Sequence, residues 1–136
     1  MLTDFNEQLY QTKISTNMAL IPPSIVRNVT GISEFQRELM RTYLQGAVYS
    51  WVKNRSGEWF AVRDLVGGDN FEWQGTPLYP LFEKHLSKGK DDNDAIRAAA
   101  KDAGWLLKGV LDDDKRHFEV GRSGLTAAYR WLGNEP

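Results

Sequence analysis

The chain has 136 residues, 41% hydrophobic and 26% charged, the make-up of one folded domain with a core of ordinary size. Its formal net charge is -1 and it holds no cysteine. These facts exclude nucleic-acid binding by bulk basic excess, any disulfide or thiolate metal site, and a cysteine nucleophile. A nucleic-acid role must therefore rest on a local patch. The first residues show no basic stretch running into an apolar core, and no apolar run approaches the roughly 20 residues that span a bilayer. Neither a signal peptide nor membrane association is expected, and a cytoplasmic location fits the missing cysteines.

Residues 1–32 read as an N-terminal arm. Thr3 can cap a short helix carrying Phe5, Leu9 and Tyr10, and Pro22-Pro23 favours an extended path. Met18, Leu20, Ile21, Ile25, Val26 and Val29 make the arm too apolar for simple disorder. It is expected to lie on the domain or on a second copy of it. Ser33 and Gln36 form a capping box that opens a long helix. Phe35, Leu39, Tyr43, Ala47 and Trp51 make one apolar row, and Met40, Leu44, Val48 and Val52 make the adjoining one. So wide a face serves as the central core helix or, in part and with the arm, as a homodimer interface.

Asn54 to Gly57 ends that helix. A short strand follows near Trp59-Phe60, then a short helix over 62–66 and the turn cluster Gly67-Gly68-Asp69-Asn70. Phe71 and Trp73 stand on the loop that runs to Gly75. Thr76-Pro77 opens a helix to about Lys88, where Gly89 stops it. Asp91-Asp92-Asn93-Asp94 puts negative charge at the start of the next helix, which carries Ile96, Ala99, Ala100 and Ala103. Gly104 is expected to break it, with a second helix resuming through Trp105 and Leu111. Residues 115–120 and 125–132 read as a hairpin about the turn Gly121-Arg122-Ser123-Gly124.

Helix, glycine turn, helix and hairpin, in that order, resemble a winged helix-turn-helix domain. Ala100 and Gly104 have the offset that this motif needs where its paired helices nearly touch, and Val110 falls where an inward branched residue is wanted. Asp113 stands where the motif wants another apolar residue, while Leu107 and Leu111 offer the core a different face. The resemblance covers residues 33–133 as an order of elements. It implies an α+β, mostly helical single domain with the hairpin as its wing and the arm in front. It also implies a non-enzymatic binding module for double-stranded DNA, with a homodimer as its natural form. In that reading Lys115, Arg116, Arg122 and Arg130 of the wing contact phosphates or the minor groove, and Lys101 and Lys108 support them. The wing is net positive, with Glu119 its one acid, but Asp112-Asp113-Asp114 at the end of the second helix would repel phosphate.

The alternative is a protein-interaction or assembly module that uses the 67–75 loop and the arm and does not bind DNA. Phe71 and Trp73 would then form the contact surface, unless both rings fold inward to anchor the loop. Chemistry has little support. His85 and His117 are the only histidines and lack metal-ligand spacing; both read as surface residues whose loss should change little. The sequence at Gly121-Arg122-Ser123-Gly124-Leu125 lacks the last glycine of a nucleophile elbow, and Gly67-Gly68 is not a phosphate loop. No cofactor, metal or catalytic residue is expected.

Overall fold

A computed structural model describes residues 27–67 and 72–133. Over them the chain forms helices α1 (Glu34–Asn54), α2 (Val62–Val66), α3 (Tyr79–Ser87) and α4 (Asp92–Asp113), then strands β1 (Phe118–Ser123) and β2 (Thr126–Trp131). The protein is α+β and mostly helical, with a C-terminal antiparallel hairpin, as expected. The arm helix expected at Thr3, the apolar residues Met18 to Val26, and Gly68, Asp69, Asn70 and Phe71 lie outside the described residues.

The capping box opens α1. Ser33 Oγ accepts from the Gln36 backbone at 3.0 Å, and Gln36 Oε1 accepts from the Ser33 backbone at 2.9 Å. The row Met40, Leu44, Val48 and Val52 is buried, so the core lies along that side of the helix. The adjoining row runs along the rim. Tyr43 and Trp51 pack partly against the core, whereas Phe35 and Leu39 face solvent at 73% and 44% exposure. The described end of the arm lies on the domain: Val29 is buried, Arg37 donates to its carbonyl at 2.7 Å, and the Arg27 guanidinium sits 5.2 Å from the Trp105 ring centroid.

Helix α3 starts later than Thr76-Pro77 suggested. The Thr76 hydroxyl donates to the Trp73 carbonyl at 2.9 Å and accepts from the Leu78 amide at 3.2 Å, which shapes a turn ahead of the helix. Helix α4 corrects the sequence reading. It runs through Gly104 without a break, and Gly104 is not among the glycines with positive φ. One 22-residue helix stands where two were expected. Asp91 caps it, accepting from the Asp94 amide at 2.8 Å, and Ala95, Ala99 and Ala103 then line up every fourth residue and are fully buried. Their small side chains give Leu81 and Phe82 of α3 and the α1 row a close seat. Leu106, Leu107, Val110 and Leu111 extend the contact past Gly104.

The hairpin turn also sits further along than the glycine pattern suggested. Ser123 pairs with Thr126, so the turn is Gly124-Leu125, with Gly124 at φ 66, and Gly121, Arg122 and Ser123 belong to β1. A single bridge extends the sheet. Phe60 and Tyr129 exchange backbone hydrogen bonds of 2.8 Å each, where a short strand was expected near Trp59-Phe60. Phe60 is fully buried, with the rings of Trp51, Phe118 and Tyr129 centred 5.7, 6.1 and 6.0 Å away. This aromatic cluster fixes the hairpin to α1. Burial pushes the Tyr129 phenol up to about 12, so it remains protonated at any working pH.

Candidate nucleic-acid interface at the hairpin

The arginines at the root of the hairpin are engaged within the fold. Arg116 is 9% exposed. Its Nε and Nη2 donate to the two carboxylate oxygens of Asp114 at 2.9 and 2.7 Å, and its backbone amide donates to the same carboxylate at 2.9 Å. Three rings surround the guanidinium, with Tyr49, Phe118 and Trp131 centred 4.6, 5.7 and 5.5 Å away. Burial alone would raise the Asp114 carboxyl. The hydrogen bonds from Arg116 and from Gln45, with the Arg116 charge, outweigh that and hold it below its ordinary range. Arg130 is likewise engaged. It pairs with Glu119 directly across the ladder, and its guanidinium lies 4.6 Å from the Trp59 ring centroid. Two of the four wing cations thus have carboxylate partners.

The tip is different. Arg122 Nη1 donates to the Leu125 carbonyl at 3.2 Å across the turn. Arg63, on α2, reaches the same turn from the other side, and its Nη2 lies 3.3 Å from the Ser123 carbonyl and 3.2 Å from Ser123 Oγ. Both guanidiniums are tied to the turn backbone, both side chains are exposed, and neither forms an ion pair among the described residues. Between them Leu125 is 96% exposed. Arg63 was missed in the sequence. A lone arginine on a five-residue helix, sixty positions before its hydrogen-bond partner, leaves no local signal.

The remaining candidates are scattered. Lys101 and Lys108 are seven residues apart on α4, hence on one face. Lys101 is exposed, whereas Lys108 sits 5.4 Å from the Trp105 ring centroid. Burial lowers the Lys108 ammonium, with Asp112 opposing. Lys115 is exposed on an open groove of about 790 Å³ that Arg116 and Asp114 also line. The acidic triplet is not a bare negative cluster. Arg41 holds Asp113 at 2.6 Å and Arg116 holds Asp114. The Asp112 carboxyl is raised, by burial first and then by Asp113, with Lys108 opposing.

Trp73 turns inward. It is 3% exposed, and its Nε1 donates to the Val66 carbonyl at 3.0 Å, anchoring the loop. Its partner in the expected contact surface, Phe71, is outside the described residues. His85 is a correction: it is not a solvated residue but packs between α3 and α4 with its side chain 12% exposed. Its Nε2 lies 2.8 Å from Asp102 Oδ2, and Lys84 Nζ lies 2.9 Å from the same oxygen while also donating to the Thr30 carbonyl. This cluster ties both helices to the described end of the arm. His85 Nδ1 is buried without a hydrogen-bond partner.

Among the described residues no group of three histidine, aspartate or glutamate side chains is placed to hold a metal, and no helix is long and apolar enough to cross a membrane. No protein-family model, curated protein or solved structure matches the chain.

Proposed function

We propose that the protein is a non-enzymatic binding module that holds double-stranded DNA with the tip of its C-terminal hairpin. The observation that carries this reading is the pair Arg63 and Arg122, fixed to one turn and free of carboxylates among the described residues. Guanidiniums held in place by the backbone lose little freedom on meeting a phosphate, and they match its geometry. The order of elements supports the same reading. A long helix, a bridge at Phe60, further helices and then a hairpin is the order of a winged-helix domain, although Gly104 makes no turn within it. Lys115 on the hairpin approach and Lys101 on α4 are the exposed lysines left to add weaker phosphate contacts. Arg116 and Arg130 fall to the structure of the hairpin itself.

Fluorescence anisotropy with a labelled mixed-sequence duplex tests this. Binding is expected at micromolar protein and should weaken steeply with salt, because each neutralised phosphate releases counterions. Replacing both Arg63 and Arg122 by alanine should lower the salt slope by about 2, at roughly 0.9 per lost phosphate contact. An absence of binding at low salt, or an unchanged slope in the double variant, would remove the hairpin from this role.

A second reading has one observation in its favour. Phe35 and Leu39 stand one turn apart on α1 and are both exposed. An assembly contact would use them rather than the buried Trp73. Phe35→Ala would then abolish self-association in sedimentation while leaving the DNA titration untouched.

A further inference from the structure

We infer that the outer face of the hairpin is a stacking platform for an unpaired base, so that DNA with a single-stranded overhang is preferred to a blunt duplex. This rests on the hairpin reading above. The bridge between Phe60 and Tyr129 points both of those rings into the core, so the next residue back, Trp59, lies on the opposite face of the sheet, beside Arg130. From there its ring reaches over β1 at Gly121. A Cβ added at Gly121 would stand 2.9 and 3.0 Å from two atoms of the Trp59 ring, so only glycine lets the indole lie down on the strand. Arg130, itself held by Glu119, places its guanidinium 4.6 Å from the ring centroid. Ala128, opposite Gly121, is buried under this arrangement. Trp59 nevertheless remains 42% exposed. An aromatic side chain is thus held against the sheet, beside Gly121 and Arg130, with part of its surface open.

The same face continues to the tip. Ser123 lies two residues from Gly121 and so shares its side of the strand, and its hydroxyl is where Arg63 docks. From root to tip the face therefore presents a neutralised Arg130–Glu119 pair, an open indole and a guanidinium without a carboxylate. That order of groups offers Trp59 to a base and Arg63 to its phosphate. Bases inside a duplex are already stacked on both sides, and the end pair of a blunt duplex offers a face only while held in its pair, whereas an unpaired base can turn onto the ring, whatever its identity. Arg122, on the other side of β1, meets the duplex backbone, and the phosphate on Arg63 is the one that joins the unpaired base to the duplex, so both arginines keep the duplex contacts given them above.

The test compares two labelled ligands by anisotropy, a blunt duplex and the same duplex with a short thymine overhang. The overhang should raise affinity roughly tenfold, within the range that one base–aromatic stack supplies. Trp59→Ala should erase that gain and leave blunt-duplex binding as it was, and Trp59→Phe should keep part of it. Equal affinity of the unaltered protein for the two ligands would overturn the platform while the hairpin reading stood. So would a gain that survives Trp59→Ala. Failure of both ligands to bind would end both readings. Because the first comparison uses the unaltered protein, a folding defect in Trp59→Ala could not rescue the proposal.

Discussion

The root and the tip of one hairpin use the same residue type in opposite ways. At the root, Arg116 and Arg130 each have a carboxylate and at least one aromatic ring within reach, so their charge is consumed inside the fold. At the tip, Arg63 and Arg122 are held only by backbone and hydroxyl oxygens. A neutral oxygen positions a guanidinium without cancelling its charge. The difference separates an arginine that builds the hairpin from one that is free to meet a ligand. It also shows how a chain with net charge -1 can carry a local cationic contact surface: the acids of the hairpin root, Asp114 and Glu119, are taken up by Arg116 and Arg130 and leave the tip arginines without a carboxylate partner among the described residues.

The strongest way to break this comparison is to remove Arg116. The Asp114 side chain is 5% exposed, and without its partner it becomes a buried, unpaired carboxylate. Arg116→Ala should destabilise the fold by about 3 kcal/mol, read as a drop in the urea midpoint, while the DNA affinity of the folded protein stays near its original value. The pH dependence gives the sign. In the intact protein the Asp114 carboxyl is held low, so its stabilisation is complete above the unfolded value of about 4 and fades as pH falls through the folded one. In Arg116→Ala burial acts with far less opposition and favours the protonated acid. The gap between variant and parent should therefore be widest at neutral pH and shrink on acidification. A gap that is constant from neutral to acid pH would mean that stacking on Tyr49, Phe118 and Trp131, not the ion pair, is what Arg116 contributes.

Glycines sharpen the same distinction and show what was legible in the sequence. Caps and periodicity are local signals, and they located α1 with its capping box, the start of α4 at Asp91 and the existence of the hairpin. What failed was the meaning of two glycines. Gly104 was read as a turn and Gly121 as part of one. A sequence does not show whether a glycine answers to backbone conformation, to a close neighbour or to neither. Gly121 answers to Trp59, which lies above it. Gly104 answers to neither, since it is helical and an added Cβ would meet nothing within 4 Å. Gly104→Ala should accordingly stabilise the protein by up to about 1 kcal/mol, the helix-propensity difference. A loss of stability would restore the turn expected there. The candidate site was half legible for the same reason. Arg122 stood in a recognisable hairpin, but the pairing that distinguishes it from Arg116 and Arg130 depends on Asp114, Glu119 and the aromatic rings. Arg63 and Trp59 join the site only through contacts between distant parts of the chain, as His85 joins Asp102.

The smallest effect on stability is expected at the tip, and there a small number carries the argument. Arg63→Ala together with Arg122→Ala removes hydrogen bonds that water can replace at once, because both side chains are exposed and no buried group loses its partner. Such surface changes usually stay within about 0.5 kcal/mol. The urea midpoint of the double variant should thus nearly coincide with that of the parent, in the same protein where Arg116→Ala moves it far. If the tip variant instead proved as damaging as the root variant, Arg63 would be a brace that locks α2 to the hairpin. Its freedom from carboxylates would then reflect packing, not readiness for a phosphate. A protein that keeps its midpoint but loses its salt-dependent affinity leaves ligand contact as the role of these two arginines.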